Sequence, residues 1–306
     1  MRQVAVVTTG FFDGVHLGHR HVIETVVSSA RERGEEAIVV TFWPHPRTVL
    51  QQDAREFRIL NTLEEKKALL LGLGVDRVEV LPFTREFAAL TAEKYLDLLR
   101  KEYGATQIVM GYDNKIGSDR KSASAFVGKS SPSAPQEFIF TDGAVKTKFP
   151  LRTTFVTPPA DLPVAISSTR IRKALQDGDV ETANAMLGYD YTLTGAVVAG
   201  NRMGRTIGFP TANMQLYEPL KLVPGNGVYA VQAEVLGVKY KGMCNIGVRP
   251  TVSGVGRTIE THILDFDQDI YGLPLTVRFL RRIRDERKFA SLEELRSQLI
   301  LDCAAL

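Results

Sequence analysis

The chain has 306 residues, 44% of them hydrophobic and 24% charged, which excludes a disordered or collagen-like polymer and allows about two domains. Its two cysteines, Cys244 and Cys303, lie far apart without CxxC spacing, so a disulfide scaffold and a thiolate zinc site are excluded and a reducing cytoplasm is expected. The net charge of +3 belongs to the C-terminal part: residues 1–190 carry 24 basic against 24 acidic side chains, residues 191–306 carry 14 against 11.

In chain order, the N-terminus lacks the apolar core and cleavage site of a signal peptide, and no stretch reaches membrane-spanning length, so no membrane association is expected. Residues 4–8 read as a buried strand. Val22, Ile23, Val26, Val27 and Ala30 then recur on one face of a helix ending near Gly34. A strand at 37–42, a helix at 63–71, a strand at 77–81, a helix at 92–101 and a strand at 107–110 follow. This alternation predicts an α/β domain, an open parallel sheet of βαβ units with a Rossmann-like winding.

Between the first strand and helix stands Thr9-Gly10-Phe11-Phe12-Asp13-Gly14-Val15-His16-Leu17-Gly18-His19. A helix start beyond a strand's carboxyl end presents free N–H groups to an anion. His16 and His19, three apart, project from one side of the first turn, and Gly18 lets a nucleotide approach the backbone. Two imidazoles there could stabilise a phosphoryl-transfer transition state; the alternative is a pair of histidines that only cap a helix. Residues 123–130 imitate a phosphate-binding loop but lack a preceding strand and a following helix, and read as a surface loop.

Two helical patterns at 168–187, broken at 177–179, open on Ile166-Ser167-Ser168-Thr169-Arg170-Ile171-Arg172. Hydroxyls and guanidiniums at that spacing suit a triphosphate. From Tyr191 the texture becomes short alternating runs (193–199, 227–236, 239–244, 260–264, 275–280) with Gly, Pro, Asn and Asp turns, predicting a small antiparallel barrel. Ser291 and Glu294 mark a capping box for a closing helix to about Cys303, with Leu292, Leu295 and Leu299 on one face. The basic run at 278–288 reads as the solvated side of a structured element, with a nucleic-acid patch as the alternative.

Gly200, Gly204 and Gly208 suit a loop folding over phosphates, with Arg205 at hand. Pro210-Thr211-Ala212-Asn213 places two side-chain oxygens on one side of a strand, which suits Mg²⁺ shared with nucleotide phosphates. Glu260 begins a later strand and could accept a hydroxyl proton if it lies beside Thr211.

The first pair of motifs resembles the nucleotidyltransferase superfamily. With Thr41-Phe42-x-Pro44-His45-Pro46, residues 200–213, Asn245-Ile-Gly-x-Arg249-Pro-Thr251, Glu260-x-His262 and Tyr271-Gly272, nearly the whole chain resembles the bacterial bifunctional riboflavin kinase/FAD synthetases. The resemblance implies a nucleotidyltransferase domain over 1–186 and a six-stranded riboflavin kinase barrel with a closing helix over 187–306. It implies riboflavin, FMN, FAD and ATP as substrates and products, Mg²⁺ as cofactor, and flavoproteins as recipients of the product, with no nucleic-acid partner. It also implies Glu260 as catalytic base, Thr211 and Asn213 on Mg²⁺ and phosphate, and the 200–208 loop and Asn245 in the kinase site. His16 and His19 would act in adenylyl transfer beside Gly10, Phe12, Asp13, Gly18 and Asp113, with Ser167, Ser168, Thr169, Arg170 and Arg172 on the departing phosphates. At Gly111-Tyr-Asp113-Asn-Lys-Ile-Gly117 the chain keeps the family's carboxylate and lacks its two aromatics. A kinase whose N-terminal domain has lost FAD synthesis or changed its acceptor is the second reading; a flavin- or RNA-binding regulator is the third.

Overall fold

The computed structural model describes residues 4–50, 57–111, 115–118, 121–122, 136–142, 145–157, 166–200, 203–251 and 254–306. They form two compact units, Met1–Ile166 and Ser167–Leu306. No helix among the described residues is long and apolar enough to cross a membrane.

The first unit runs β1 (Ala5–Thr9), α1 (Leu17–Arg33), β2 (Glu36–Trp43), α2 (Pro46–Leu50), α3 (Leu63–Leu71), β3 (Arg77–Pro82), α4 (Arg85–Ala88), α5 (Ala92–Tyr103), β4 (Ala105–Gly111), β5 (Lys115–Ile116), β6 (Lys121–Ser122), β7 (Gln136–Asp142) and β8 (Val145–Val156). The main sheet has the order β3-β2-β1-β4-β8-β7, parallel except for the antiparallel edge strand β7. Every residue of β1 is buried, as a central parallel strand covered on both faces requires. Strand order reverses between β1 and β4, the place where open sheets receive ligands beyond their carboxyl ends. The expected helices end where the local chemistry stops them: α1 at Gly34 in the left-handed region, α5 at Gly104 likewise, while α3 starts from a capping box of Thr62 and Glu65.

Strands β7 and β8 were not expected. Charged residues at Lys146, Lys148 and Arg152 and a proline at 150 break the apolar run that marks the other parallel strands. Strand β8 pairs with β4 over Arg152–Val156 and forms a hairpin with β7 over Val145–Thr153. The loop expected at 123–130 lies outside the described residues.

The second unit runs α6 (Ser168–Gln176), α7 (Val180–Leu187), β9 (Thr192–Val198), α8 (Met203–Thr206), β10 (Ala212–Leu216), β11 (Gly227–Val235), β12 (Val238–Thr251), β13 (Gly254–Ile263), β14 (Pro274–Arg284) and α9 (Leu292–Ala304). The six strands close into an antiparallel barrel in the order β10-β13-β12-β11-β14-β9. Leu193, Tyr229, Cys244 and Phe279 are fully buried in it. Helices α6 and α7 belong to this unit: the Asn184 amide donates to the Phe279 carbonyl (2.8 Å), and Tyr191 N–H donates back to Asn184 Oδ1 (2.8 Å).

The basic run is more than a solvated face. Arg282 donates to the carbonyls of Asp177 (3.1 Å) and Asn226 (2.6 Å). Arg284 grips the Asp302 carboxylate through Nε and a terminal nitrogen (3.0 and 2.7 Å). Helix α9 depends on that grip, because its apolar residues are poorly covered: Leu292, Ile300 and Leu301 are exposed, and Asp302 is the one residue of the helix that is buried. Leu292 therefore does not share the packing of Leu295 and Leu299. Cutting a buried ion pair on one side leaves the other charge uncompensated. Asp302→Ala should destabilise the barrel unit by about 3 kcal/mol in denaturant unfolding; a loss under about 1 kcal/mol would mean that α9 is held by other contacts.

Candidate active sites

The loop from β1 to α1 is strained and braced. Phe12 and Val15 have φ of 47° and 36°, in the left-handed region that side chains avoid, and Gly14 joins them at 90°. Such backbone persists only where its surroundings over-determine it. Here the Asp13 carboxylate, buried, accepts the backbone N–H groups of Leu60 (3.0 Å to Oδ1, 3.3 Å to Oδ2) and Asn61 (3.3 Å). Phe12 is buried below the loop, its ring edge-on to His19 with centroids 5.3 Å apart. A side chain at Gly10 would press on the Phe12 ring at 3.1 Å. Phe12 and Asp13 thus shape the loop from inside.

His16 is the N-cap of α1, and its Nδ1 accepts His19 N–H at 3.3 Å. In the neutral ring the proton therefore sits on Nε2. The His16 and His19 rings stack at 3.6 Å and 15°, over the glycine at 18, where a Cβ would sit 3.4 Å from the His16 ring. Burial, then the neighbouring His16, then the Lys66 ammonium hold His19 well below the usual imidazole range. Its Nδ1 is buried with no hydrogen-bond partner among the described residues. A stacked imidazole pair at a helix start at the sheet's switch point, with His19 held neutral, forms a donor pair for an anion that brings its own charge.

Lys66 was missed. It sits between Leu63 and Leu70 on the inward stripe of α3, and a lysine at an apolar position was the available signal. Asp113 lies outside the described residues. Ser167 caps α6, accepting Arg170 N–H at 3.3 Å, and Ile171 and Leu175 anchor that helix; Thr169 and Arg170 are exposed, Ser168 and Arg172 half-buried. These residues belong to the second compact unit, and His16 and His19 to the first.

In the barrel, register assembles the predicted residues. Asn213 stands directly opposite Glu260 across β10 and β13, and Glu260 directly opposite Asn245 across β13 and β12. Directly paired residues of antiparallel strands project to the same face, so the three form one half-buried polar row. Thr211 stands immediately before β10, next to the Pro210 carbonyl. The neighbouring chain direction is fixed by His262, whose Nδ1 bonds the Pro210 carbonyl at 2.7 Å.

The glycines of the 200–208 loop answer specific crowding. A Cβ on Gly200 would fall 2.2 Å from Asn213 Nδ2, and one on Gly204 would fall 2.1 Å from the Phe209 carbonyl oxygen. Gly208 turns with φ of 83° in open space. A cavity of about 410 Å³ lies beside this loop, bordered by Arg205, Pro210 and Thr211, by Thr261 and Ile263 of β13, and by the 266–271 segment. Thr261 and Glu260 are consecutive, so the cavity and the polar row use opposite faces of β13, with Thr211 at the cavity's edge. The acidic segment Asp267-Gln268-Asp269 at this cavity carries no periodic signal, and the sequence alone did not single it out.

Among the described residues no three His, Cys, Asp or Glu side chains gather as a metal cage. Asn213, directly opposite Glu260, and Thr211, just before β10, offer hard, neutral oxygens. That set fits Mg²⁺, which keeps few protein ligands and completes its shell with water and substrate phosphates.

Comparison with known proteins covers both halves of the chain. The family model for FAD synthetase matches residues 1–140, and that for riboflavin kinase matches residues 187–306. The bifunctional riboflavin kinase/FMN adenylyltransferase of Bacillus subtilis is 38% identical over 301 residues, 97% of this chain and 90% of the relative. That of Escherichia coli K12 is 38% identical over 303 residues, 98% of this chain and 91% of the relative. A crystal structure of a macrolide-efflux protein from Streptococcus pneumoniae has the same fold at a TM-score of 0.86, 34% identical, covering 99% of this chain and 94% of that one. Likeness of this extent, spanning the strained histidine loop and the Asn213–Glu260 row alike, places the chain in the family of bifunctional riboflavin kinase/FMN adenylyltransferases.

Proposed function

We propose a division of labour between two catalytic halves, meeting near 186/187, for the two reactions of this enzyme. The chain phosphorylates riboflavin with ATP to give FMN, and transfers the adenylyl group of a second ATP to FMN, giving FAD and pyrophosphate. The observation that carries the assignment of residues is the register that aligns Asn213, Glu260 and Asn245.

In the kinase half, Glu260 accepts the proton of the terminal ribityl hydroxyl as that oxygen attacks the γ-phosphate of ATP. Asn245 flanks the carboxylate and orients the hydroxyl. The cavity beside Thr211 takes the nucleotide, with Arg205 and the Gly200, Gly204 and Gly208 loop over its phosphates, and Pro210 setting the approach of Thr211. Thr211 and Asn213 would hold Mg²⁺, which neutralises phosphate charge when bound.

In the adenylyltransferase half, His16 and His19 donate to the oxygens of the α-phosphate as charge builds there, and Gly10 and Gly18 leave room for the nucleotide. Phe12 and Asp13 act by holding the loop. By family resemblance alone, Ser167, Ser168, Thr169, Arg170 and Arg172 are assigned to the departing pyrophosphate and Asp113 to the same reaction. Positioning and electrostatics supply the catalysis, with no covalent intermediate. The pH dependence follows from His19: because its proton affinity is lowered, the ring stays neutral as pH falls through the ordinary imidazole range, and FAD formation should not decline until pH drops below about 6.5. An acid-side decline centred above that pH would contradict the assignment.

Glu260→Gln should lower FMN formation by about 100-fold or more, the usual worth of a general base, yet spare FAD formation from supplied FMN. His19→Ala should do the reverse, and equal loss of both reactions in either variant contradicts separate sites. Gly200→Ala should push the Asn213 amide aside and cut FMN formation roughly tenfold, while FAD formation from FMN stays unchanged. Wild-type FMN formation in the alanine variant would show that the amide's place is unimportant.

A further inference from the structure

We propose that Lys66 is a positioning residue for adenylyl transfer: its buried ammonium ties down the histidine loop and supplies the field in which His19 works. The inference rests on the assignment of FMN adenylylation to that loop.

Lys66 is 5% exposed. Its Nζ donates to the Phe11 carbonyl at 3.1 Å, with the Phe42 carbonyl at 3.5 Å, and stands 5.9 Å above the Trp43 ring. Phe11 directly precedes the strained Phe12, and Phe42 lies at the carboxyl end of β2, so one cation joins the loop to the sheet. Desolvation lowers the Lys66 pKa to about 8, against the opposing pull of the Asp13 carboxylate. Asp13 is itself spent on the Leu60 and Asn61 N–H groups. Lys66 and Asp13 are thus opposite charges bracketing a loop that could not hold its left-handed turns alone.

Stability does not explain a lysine here. A buried charge pair seldom repays its desolvation, and a methionine would complete the Leu63–Leu70 stripe at lower cost. What an apolar residue cannot supply is a positive field next to His19. The titratable groups acting on His19 are His16, at its own helix start, and Lys66 from α3. The one acting on Lys66 is Asp13. A fixed cation opposes a second positive charge, so Lys66 helps keep the His19 ring neutral, and the ring donates its remaining N–H to phosphate.

Two pH limits follow for FAD formation in the free enzyme, read as kcat/KM. On the alkaline side Lys66 loses its charge near pH 8, and activity falls there. On the acid side His19 protonates only well below its ordinary range, and removing the Lys66 charge raises that limit.

The test is kcat/KM for FAD formation from FMN and ATP between pH 5 and 10, for the wild type, Lys66→Met and Lys66→Arg, with riboflavin phosphorylation measured on the same preparations. The methionine variant should lose at least tenfold at neutral pH, on the order of one displaced catalytic contact, keep its kinase rate, and show its acid limb moved upward. The arginine variant should keep most of the activity and extend it beyond the wild-type alkaline limb, since a guanidinium stays charged. A methionine variant with both rate and acid limb unchanged overturns the proposal. If that variant loses both reactions through misfolding, the arginine variant decides: an alkaline limb coincident with the wild type overturns it. A wild-type chain that makes FMN but never FAD would instead sink the assignment of the loop itself.

Discussion

The Asp13 carboxylate, buried under the β1–α1 loop and accepting the backbone N–H groups of Leu60 and Asn61, fixes the geometry of the loop to which we assign adenylyl transfer. Two side-chain residues with positive φ flank it, at a cost on the order of 1–3 kcal/mol each, against which the loop itself sets the bond from Val15 N–H to the Phe12 carbonyl at 3.1 Å. The brace comes from elsewhere in sequence: the segment before α3 supplies the N–H groups, and α3 supplies Lys66. Its result is a helix start at which His16 caps, His19 stacks, and both ring faces are set before any phosphate arrives. Preorganisation of this kind removes the reorganisation that water would have to undergo around the same charge.

The barrel reaches a similar end by different means. Closure of the six strands leaves every rung of the ladder fixed, so Asn213, Glu260 and Asn245 are aligned by backbone pairing alone. Strand alternation then gives β13 two chemical faces, one bearing the carboxylate and the other bordering the cavity at Thr261 and Ile263. Thr211 stands at the cavity's edge, which suits a reaction in which a hydroxyl from one side must meet a phosphate from the other. The loop glycines are small because Asn213 and the Phe209 carbonyl occupy the space where side chains would be.

Much of this was legible in the sequence, and the exceptions have physical causes. Residues of a local motif, such as His16 and His19 at one helix start, could be found from spacing, because helix periodicity fixes which side they share. The βαβ winding and the barrel followed from runs of β-branched residues and from turn chemistry. The β8 strand was hidden because its charges and proline mask the pattern of a buried parallel strand, half of it being a hairpin arm. Lys66 was hidden for the opposite reason: it looks like an ordinary helix lysine beside Glu64, Glu65 and Lys67, and only its phase relative to Leu63 and Leu70 marks it as inward. The arginines of β14 were read as solvated, since carbonyl acceptors such as those of Asp177 and Asn226 leave no trace in composition.

The proposed function needs two nucleotide pockets on one polypeptide with separate structural supports, the braced loop in one unit and the paired strands in the other. Calorimetric titration of the chain with Mg²⁺ and a non-hydrolysable ATP analogue measures this directly. Two bound analogues per chain, falling to one when Asp13→Ala removes the brace and also to one when Thr211→Ala removes the barrel donor, is the predicted result. A single bound analogue in the wild type would contradict it.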